Sequence, residues 1–361
     1  MTRILYFSRD YTPHDHRFLS ALTENGHEVG YLLLEDTGLA REDRPVPAGV
    51  RLLPWAGGRT PFRWAAVPRL AVSLRKVVRT FQPEVIHAGP IQTAAFLTAL
   101  AGFSQKLVSV SWGYDLLMDA PRSRWMRFVT RYTLRRSAAF VGDCETIRNL
   151  AVAYEMNPRR IVTFPWGVDL AHFTPAPKPP SQTFTVLSTR GWAPIYGVDV
   201  LARAFARFAR RHPEARLVML GNGPLAAELR SIFLRGGVME QVTFPGLARY
   251  ADLPRYYRMA DLYLSASHSD GSSISLLEAM ACGLPALVSD IPGNREWVTP
   301  EENGWWFRDG DARDLESRLE VAFQARARLP EMGRAARRTA ESRADWRKNF
   351  PKLFDAYEFV R

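Results

Sequence analysis

The chain has 361 residues, 47% of them hydrophobic, a formal net charge of +11 at pH 7 and two cysteines. That length supports two domains with separate cores, and no apolar run reaches spanning length. The first residues, MTRILYFSRD, begin directly as a strand without a signal-peptide core, and Cys144 and Cys282 offer neither a metal spacing nor a disulfide framework, so a cytoplasmic protein is expected.

In chain order, residues 4–7 read as a strand, 17–25 as a helix closed by Gly26, and 28–34 as a second strand. Between 59 and 80 the charged residues are Arg59, Arg63, Arg69, Arg75, Lys76 and Arg79, with no acid among them. A basic amphipathic helix is expected there. Strands follow at 85–87 and 107–111. From 121 to 136 come Arg122, Arg124, Arg127, Arg131, Arg135 and Arg136, interleaved with Trp125, Met126, Phe128 and Val129, which predicts a second basic helix. Such helices read either as solvated faces over an apolar stripe or as contacts with an anionic surface. The bulky apolar residues favour membrane lipid, at the inner face, over nucleic acid, for which no zinc spacing, helix-turn-helix or aromatic RNP signature is present.

With a further strand at 138–142, the first part alternates strands and helices, as in a doubly wound parallel sheet. Ligands of such sheets sit at the carboxyl ends of strands. The residues there are Ser8-Arg9-Asp10, His87-Ala88-Gly89 and Trp112-Gly113-Tyr114-Asp115. His14 and His16 fall in the first of these loop regions, where a histidine is more often a surface residue than a base. Asp115 is either a reacting group or a loop carboxylate capping a backbone amide.

The proline-rich run from Phe173 to Pro180 marks a connector, giving domains at 1–170 and 183–340, a linker at 171–182 and a C-terminal segment at 341–361. Alternation then resumes: strand 183–188, helix 198–211, strand 216–220, the turn Gly221-Asn222-Gly223-Pro224, helix 225–235 and strand 241–245. Arg190 lies just past the first of these strands, where a guanidinium can hold two oxygens of a diphosphate. The next unit is organised around DLYLSASHSDGSSISLLEAMACGLPALVSDIPGNREWV, residues 261–298: a strand, a break at Ser269-Asp270-Gly271, a short helix opening at Ser272 or Ser273, and a strand from Pro285. Free N–H groups at the helix start make an anion site. Asp270 and Glu278, eight residues apart, bracket it. Singly they read as a turn former and a solvated helix glutamate, yet a carboxylate in so apolar a helix needs a partner, and a ribose diol would serve.

These residues resemble glycosyltransferase family four, the retaining sugar-nucleotide transferases. Asp270-Gly271 followed by Leu277-Glu278-Ala279-Met280-Ala281-Cys282-Gly283-Leu284-Pro285 is similar to the family's Glu-x7-Glu segment, and the likeness extends from Gly26-His27-Glu28-Val29 through Pro165-Trp166-Gly167-Val168-Asp169 to the final helix. The resemblance implies an α/β protein of the GT-B type: two facing Rossmann-like domains closing over the donor, the first binding acceptor and the second nucleotide-sugar, with a C-terminal helix crossing back to the first. It implies that Glu278 holds the donor ribose, that Asp270 with Gly271, Ser272 and Ser273 faces the donor sugar, and that Arg190 binds phosphate. Gly221 and Gly223 match its nucleotide loop and Glu296 a further donor-side glutamate.

Three departures stand out. The first acid is Asp270 where the family has glutamate, Tyr196 replaces a phosphate-clamping lysine, and Trp112 replaces a histidine in the segment ending at Asp115. The expected reaction is transfer of a sugar to a glycan, lipid-linked or small-molecule acceptor, with retention and without metal or other cofactor; catalytic candidates are Asp270, Arg190 and Asp115, and His14, His16 and Trp112 are acceptor-side candidates. Asp309-Gly310-Asp311 is read as a turn and helix cap, not as a metal pair. A non-catalytic sugar-nucleotide-binding subunit, or an epimerase or hydrolase on the same architecture, stays open.

Overall fold

The computed structural model describes residues 1–36, 42–178 and 181–360, so Pro179 and Pro180 of the expected connector lie outside the described residues. The chain divides into two compact units, one made of Met1–Phe164 with Phe350–Arg361, the other of Pro165–Asn349.

The first unit holds strands β1 (Arg3–Ser8), β2 (Glu28–Leu33), β3 (Val50–Leu52), β4 (Val85–Ala88), β5 (Leu107–Val110), β6 (Ala139–Gly142) and β7 (Ile161–Thr163). They form one parallel sheet in the order β3-β2-β1-β4-β5-β6-β7. Ile4, Leu5, Tyr6 and Phe7 are all fully buried, which is why β1 is a continuous apolar run: helices cover both faces of a parallel sheet. The second unit holds β8 (Phe184–Ser188), β9 (Ala215–Leu220), β10 (Val242–Gly246), β11 (Leu262–Ser265), β12 (Ala286–Ser289) and β13 (Gly304–Phe307), again all parallel, in the order β10-β9-β8-β11-β12-β13. One side of this sheet packs Val186, Leu217 and Met219 with Phe205, Phe208, Leu315 and Leu319; the other packs Leu187, Val218 and Tyr263 with Leu276, Leu277 and Met280. Strand order reverses between β1 and β4, and between β8 and β11. A doubly wound sheet places its ligand crevice at that reversal.

The short strands β3, β7 and β13 carry too little pattern to have been expected. Several boundaries also move. The first helix spans Pro13–Glu24, opened by a capping box in which Thr12 and Asp15 bond each other's backbone, so His14 and His16 are helical residues, not loop residues. The first basic stretch is α-helical over Val67–Phe81, preceded by a 3-10 turn at Trp64–Ala66, leaving Arg59 and Arg63 ahead of both; the second is the helix Arg124–Arg136, capped by Ser123 Oγ on the Met126 amide.

The division between units falls after Phe164 rather than at 170 because Val168 bonds Ala344 and Trp346 through their backbones, at 2.7 and 3.1 Å. Residues 341–349 consequently stay with the second unit. Only Phe350–Arg361 joins the first, where Tyr357 on the helix Leu353–Glu358 meets His87 Nδ1 at 2.9 Å. The expected single C-terminal helix is thus two short helices, Trp346–Asn349 and Leu353–Glu358, separated by a tight turn.

Candidate functional site

In the second unit the carboxyl ends of β8 and β11 bring together the residues the sequence singled out. Arg190, two residues beyond β8, is nearly enclosed. Its Nη1 donates to Ser273 Oγ at 2.9 Å and Ser275 Oγ at 3.0 Å, and its Nη2 lies 2.7 Å from Asp270 Oδ2. The last contact is an ion pair without good hydrogen-bond direction, since Arg190 Nε and Asp270 Oδ2 are both left without a well-formed hydrogen bond. Burial raises the Asp270 carboxyl above the usual range although Arg190 pulls the other way. The Tyr196 ring, in the turn Pro194–Tyr196, stacks under the guanidinium with Cζ 4.3 Å from its centroid. Tyr196 therefore stands beside the guanidinium as an aromatic platform, with no second cation in its place.

The helix Ile274–Ala281 starts at this cluster. Ser273 is its N-cap by position, but its hydroxyl makes no cap bond because Arg190 occupies it. Four residues into the helix, Glu278 is 8% exposed and accepts from Tyr257 Oη at 2.8 Å. A glutamate in an apolar helix does have a partner. Ser272 is buried and accepts from Trp297 Nε1 at 3.3 Å. Glu296 follows the helix Pro292–Arg295, half-buried, with its carbonyl accepting from Arg343 Nη1 at 2.5 Å. Asp311 caps the helix Ala312–Gln324 through the Arg313 and Asp314 amides, as expected of that segment.

The Gly221-Asn222-Gly223 turn supports the cluster from below. Trp192 N donates to Asn222 O and Leu225 N donates to Trp192 O, both at 3.0 Å, which ties the turn to the Arg190 loop. A Cβ on Gly221 would lie 2.8 Å from Arg190 O, and one on Gly223 would lie 2.4 Å from Trp192 O. Backbone contact this close needs glycine at both positions.

In the first unit the acceptor-side candidates separate. His14 stacks on Trp112, with ring centroids 5.3 Å apart, and its Nδ1 is enclosed without a hydrogen-bond partner. Burial pushes its pKa down to about 3, so the ring is neutral near pH 7. His16 lies on another side, against Tyr11 and 3.4 Å from Ser20 Oγ. Asp115 is fully buried and accepts from Ser111 Oγ at 2.6 Å, Ile91 N at 3.0 Å and Leu116 N at 3.1 Å; burial pushes it up to about 6. Its carboxylate thus accepts from two backbone amides and one hydroxyl.

Tyr257, Thr189, Ser273's partner Ser275 and the Ser111 hydroxyl were not singled out in the sequence. Ser275 sits five residues into the Asp270–Glu278 interval, which was its available signal. Tyr257 had none, because its pairing with Glu278 crosses from the helix Leu253–Met259.

Residues 14–172 match the family model described as Glycosyltransferase Family 4, and residues 174–339 the one described as Glycosyl transferases group 1. The chain is 25% identical over 311 residues to a GDP-mannose-dependent monoacylated alpha-(1-6)-phosphatidylinositol monomannoside mannosyltransferase of Corynebacterium glutamicum, covering 77% of each. It is 32% identical over 223 residues to a D-inositol 3-phosphate glycosyltransferase of Kineococcus radiotolerans, covering 53% of this chain and 50% of the relative. Among solved structures, sucrose-phosphate synthase of Thermosynechococcus elongatus superposes with a TM-score of 0.83 at 16% identity, over 99% of this chain and 98% of the other. Anabaena HepE in complex with UDP-glucose superposes at 0.78 and 17% identity, over 100% and 99%.

Proposed function

We propose that this chain, which belongs to glycosyltransferase family four, has the GT-B fold and moves a sugar from a nucleotide-sugar donor, performs that transfer with retention of configuration and without a metal ion. The observation carrying the proposal is the group of Arg190, Asp270 and Glu278 at the reversal between β8 and β11. Breaking a glycosyl–phosphate bond leaves an oxocarbenium-like sugar and a diphosphate anion, so catalysis requires positive potential on the leaving side. Arg190 and the amides opening the helix Ile274–Ala281 supply it. The diphosphate competes with Asp270 for the guanidinium, and Asp270, once released, faces the sugar hydroxyls with Gly271 and Ser272. Glu278 takes the ribose, Tyr196 and the Gly221–Gly223 turn border the nucleotide, and Glu296 completes the donor side. Asp115 is the first unit's catalytic candidate, and His14, His16 and Trp112 are its acceptor-side candidates.

The test is incubation with UDP-, GDP- and ADP-hexoses, following sugar release and the anomeric configuration of the product. Retention that persists in a chelator is the expected result. An inverted product, or loss of turnover on chelation, overturns the corresponding half of the proposal. Nucleotide binding without sugar release from any donor would favour the non-catalytic subunit, for which Tyr196 in the lysine's place speaks.

The acceptor proposed is lipid-linked or a glycan, met at a cytoplasmic membrane face. Among the described residues no helix is long and apolar enough to cross a membrane. In the first unit, though, Trp64, Trp125 and Phe128 are 39%, 52% and 55% exposed and in ring contact: Trp64–Trp125 at 5.7 Å and Trp125–Phe128 at 5.6 Å. Arg122, Arg124 and Arg127 surround them in sequence, whereas Arg131 and Arg135 face Glu155. Aromatic rings amid arginines fit an anionic bilayer surface. Trp125→Ala with Phe128→Ala is expected to weaken binding to phosphatidylglycerol vesicles about tenfold in sedimentation at low salt, ~1.4 kcal/mol. Unchanged sedimentation would rule the surface out.

A further inference from the structure

The residue that answers Glu278 is Tyr257, from the helix Leu253–Met259 and only 1% exposed. Its hydroxyl donates to Glu278 Oε2 at 2.8 Å and lies 3.2 Å from Thr189 Oγ1, the residue preceding Arg190. An ionised carboxylate only accepts, so the single phenolic hydrogen goes to Glu278 and Thr189 must donate to the phenol oxygen. The run Thr189–Tyr257–Glu278 therefore has one direction, ending on the carboxylate. Burial first, and the Glu278 charge second, raise the phenol well above its ordinary pKa, so it remains a donor across the working pH range. The ring is fixed by edge contacts with Phe173, 6.0 Å away, and lies 6.3 Å from Tyr263.

A glutamate side chain carries three torsions, and the last, which sets the carboxylate plane, is broad. A ribose diol presents two hydroxyls at a fixed spacing and discriminates by that plane. We propose that Tyr257 is the positioning residue for ribose recognition, holding the Glu278 carboxylate in the orientation that accepts the nucleotide's 2′- and 3′-hydroxyls. The same two-residue segment, Thr189-Arg190, thereby anchors the ribose ligand through Tyr257 and presents the cation for the diphosphate. The inference rests on the reading of Glu278 as the ribose ligand.

The test compares the nucleoside diphosphate that binds best among UDP, GDP and ADP with its 2′-deoxy and 3′-deoxy forms, by calorimetry on the full chain. The wild-type protein is expected to prefer the ribonucleotide by about tenfold, the scale of one well-placed hydrogen bond to a charged group. Tyr257→Phe keeps the ring and is expected to lower that preference at least threefold, by weakening ribonucleotide binding while deoxynucleotide binding stays as it was. Glu278→Gln should bring it near one. A general loss of packing would weaken both nucleotides alike and leave the ratio unchanged. If Glu278→Gln removes the preference and Tyr257→Phe does not, the role of Tyr257 is overturned and the ribose reading stands. If Glu278→Gln leaves the preference intact, or no diphosphate binds, the ribose reading falls and this inference with it. Should Tyr257→Phe fail to fold, Thr189→Val, which conserves shape and deletes the donor behind the phenol, is expected to move the ratio in the same direction; an unmoved ratio there overturns the proposal.

Discussion

Arg190→Ala is expected to lower kcat/KM for the nucleotide-sugar donor by about 10²–10³, the range seen when one preorganised group stabilising transition-state charge is removed. With Tyr196 in the place of the family's lysine, the Arg190 guanidinium is the cation that this cluster, among the described residues, would present to a leaving diphosphate. Arg190→Lys restores charge but not the planar fork that engages Ser273, Ser275 and Asp270 together, so it should recover only part of the loss. Alanine also leaves Asp270 buried without its partner, and burial already holds that carboxyl above the usual range. Breaking one side of a buried pair costs about 3 kcal/mol, visible as a lower Tm. The double variant Arg190→Met with Asp270→Asn removes both charges and should regain most of the stability while remaining inactive. Initial rates at saturating acceptor decide the matter: a loss below tenfold, or one confined to the acceptor's KM, would show that charge on the donor side comes from elsewhere.

Asp15→Asn is expected to change how the first unit's stability depends on pH. Asp15 is buried at the start of the first helix, accepting from Thr12 and from Tyr6 Oη at 3.0 Å, and burial holds it at about 7. Its folded pKa is raised above the usual 3.8, so the folded state binds the extra proton. The resulting stability is full below about 4 and is lost as pH rises through about 7, a span of ~4 kcal/mol. His87 has the opposite sense: burial lowers it to about 3, so it stays neutral when folded, and stability is lost as pH falls from its ordinary 6.5 toward about 3. Between roughly pH 4 and 6.5 the two slopes oppose each other. Asparagine removes the acid's contribution, so the variant's Tm should fall toward acid more steeply than that of the wild-type protein. Parallel profiles would contradict the buried, proton-sharing state of Asp15.

How much of this was legible in advance varies with how local each feature is. β1 and β11 announce themselves because strands covered on both faces must be apolar throughout, and Gly283 with Pro285 marks the end of the helix that carries Glu278. The Asp270 to Glu278 spacing survives as geometry because loop and helix are contiguous, so sequence distance sets spatial distance. The helix containing His14 began earlier than expected because its start depends on a reciprocal bond between Thr12 and Asp15 that composition alone does not rank above a loop.

The amino-acid sequence by itself determined the two doubly wound sheets, the strand ends at which the candidate residues gather, and the pair Asp270 and Glu278 around a helix start. Periodicity and short-range spacing are enough for that. Only the tertiary structure decided which partner each polar group takes. Ser273 gives up its capping role to Arg190, Asp270 pairs with that same guanidinium, Tyr257 reaches Glu278 from another helix, and Trp64 meets Trp125 from a different basic stretch. The polar pairings among them follow from burial, since a polar group removed from water bonds whatever the packed chain brings within reach, and that is a property of the fold as a whole.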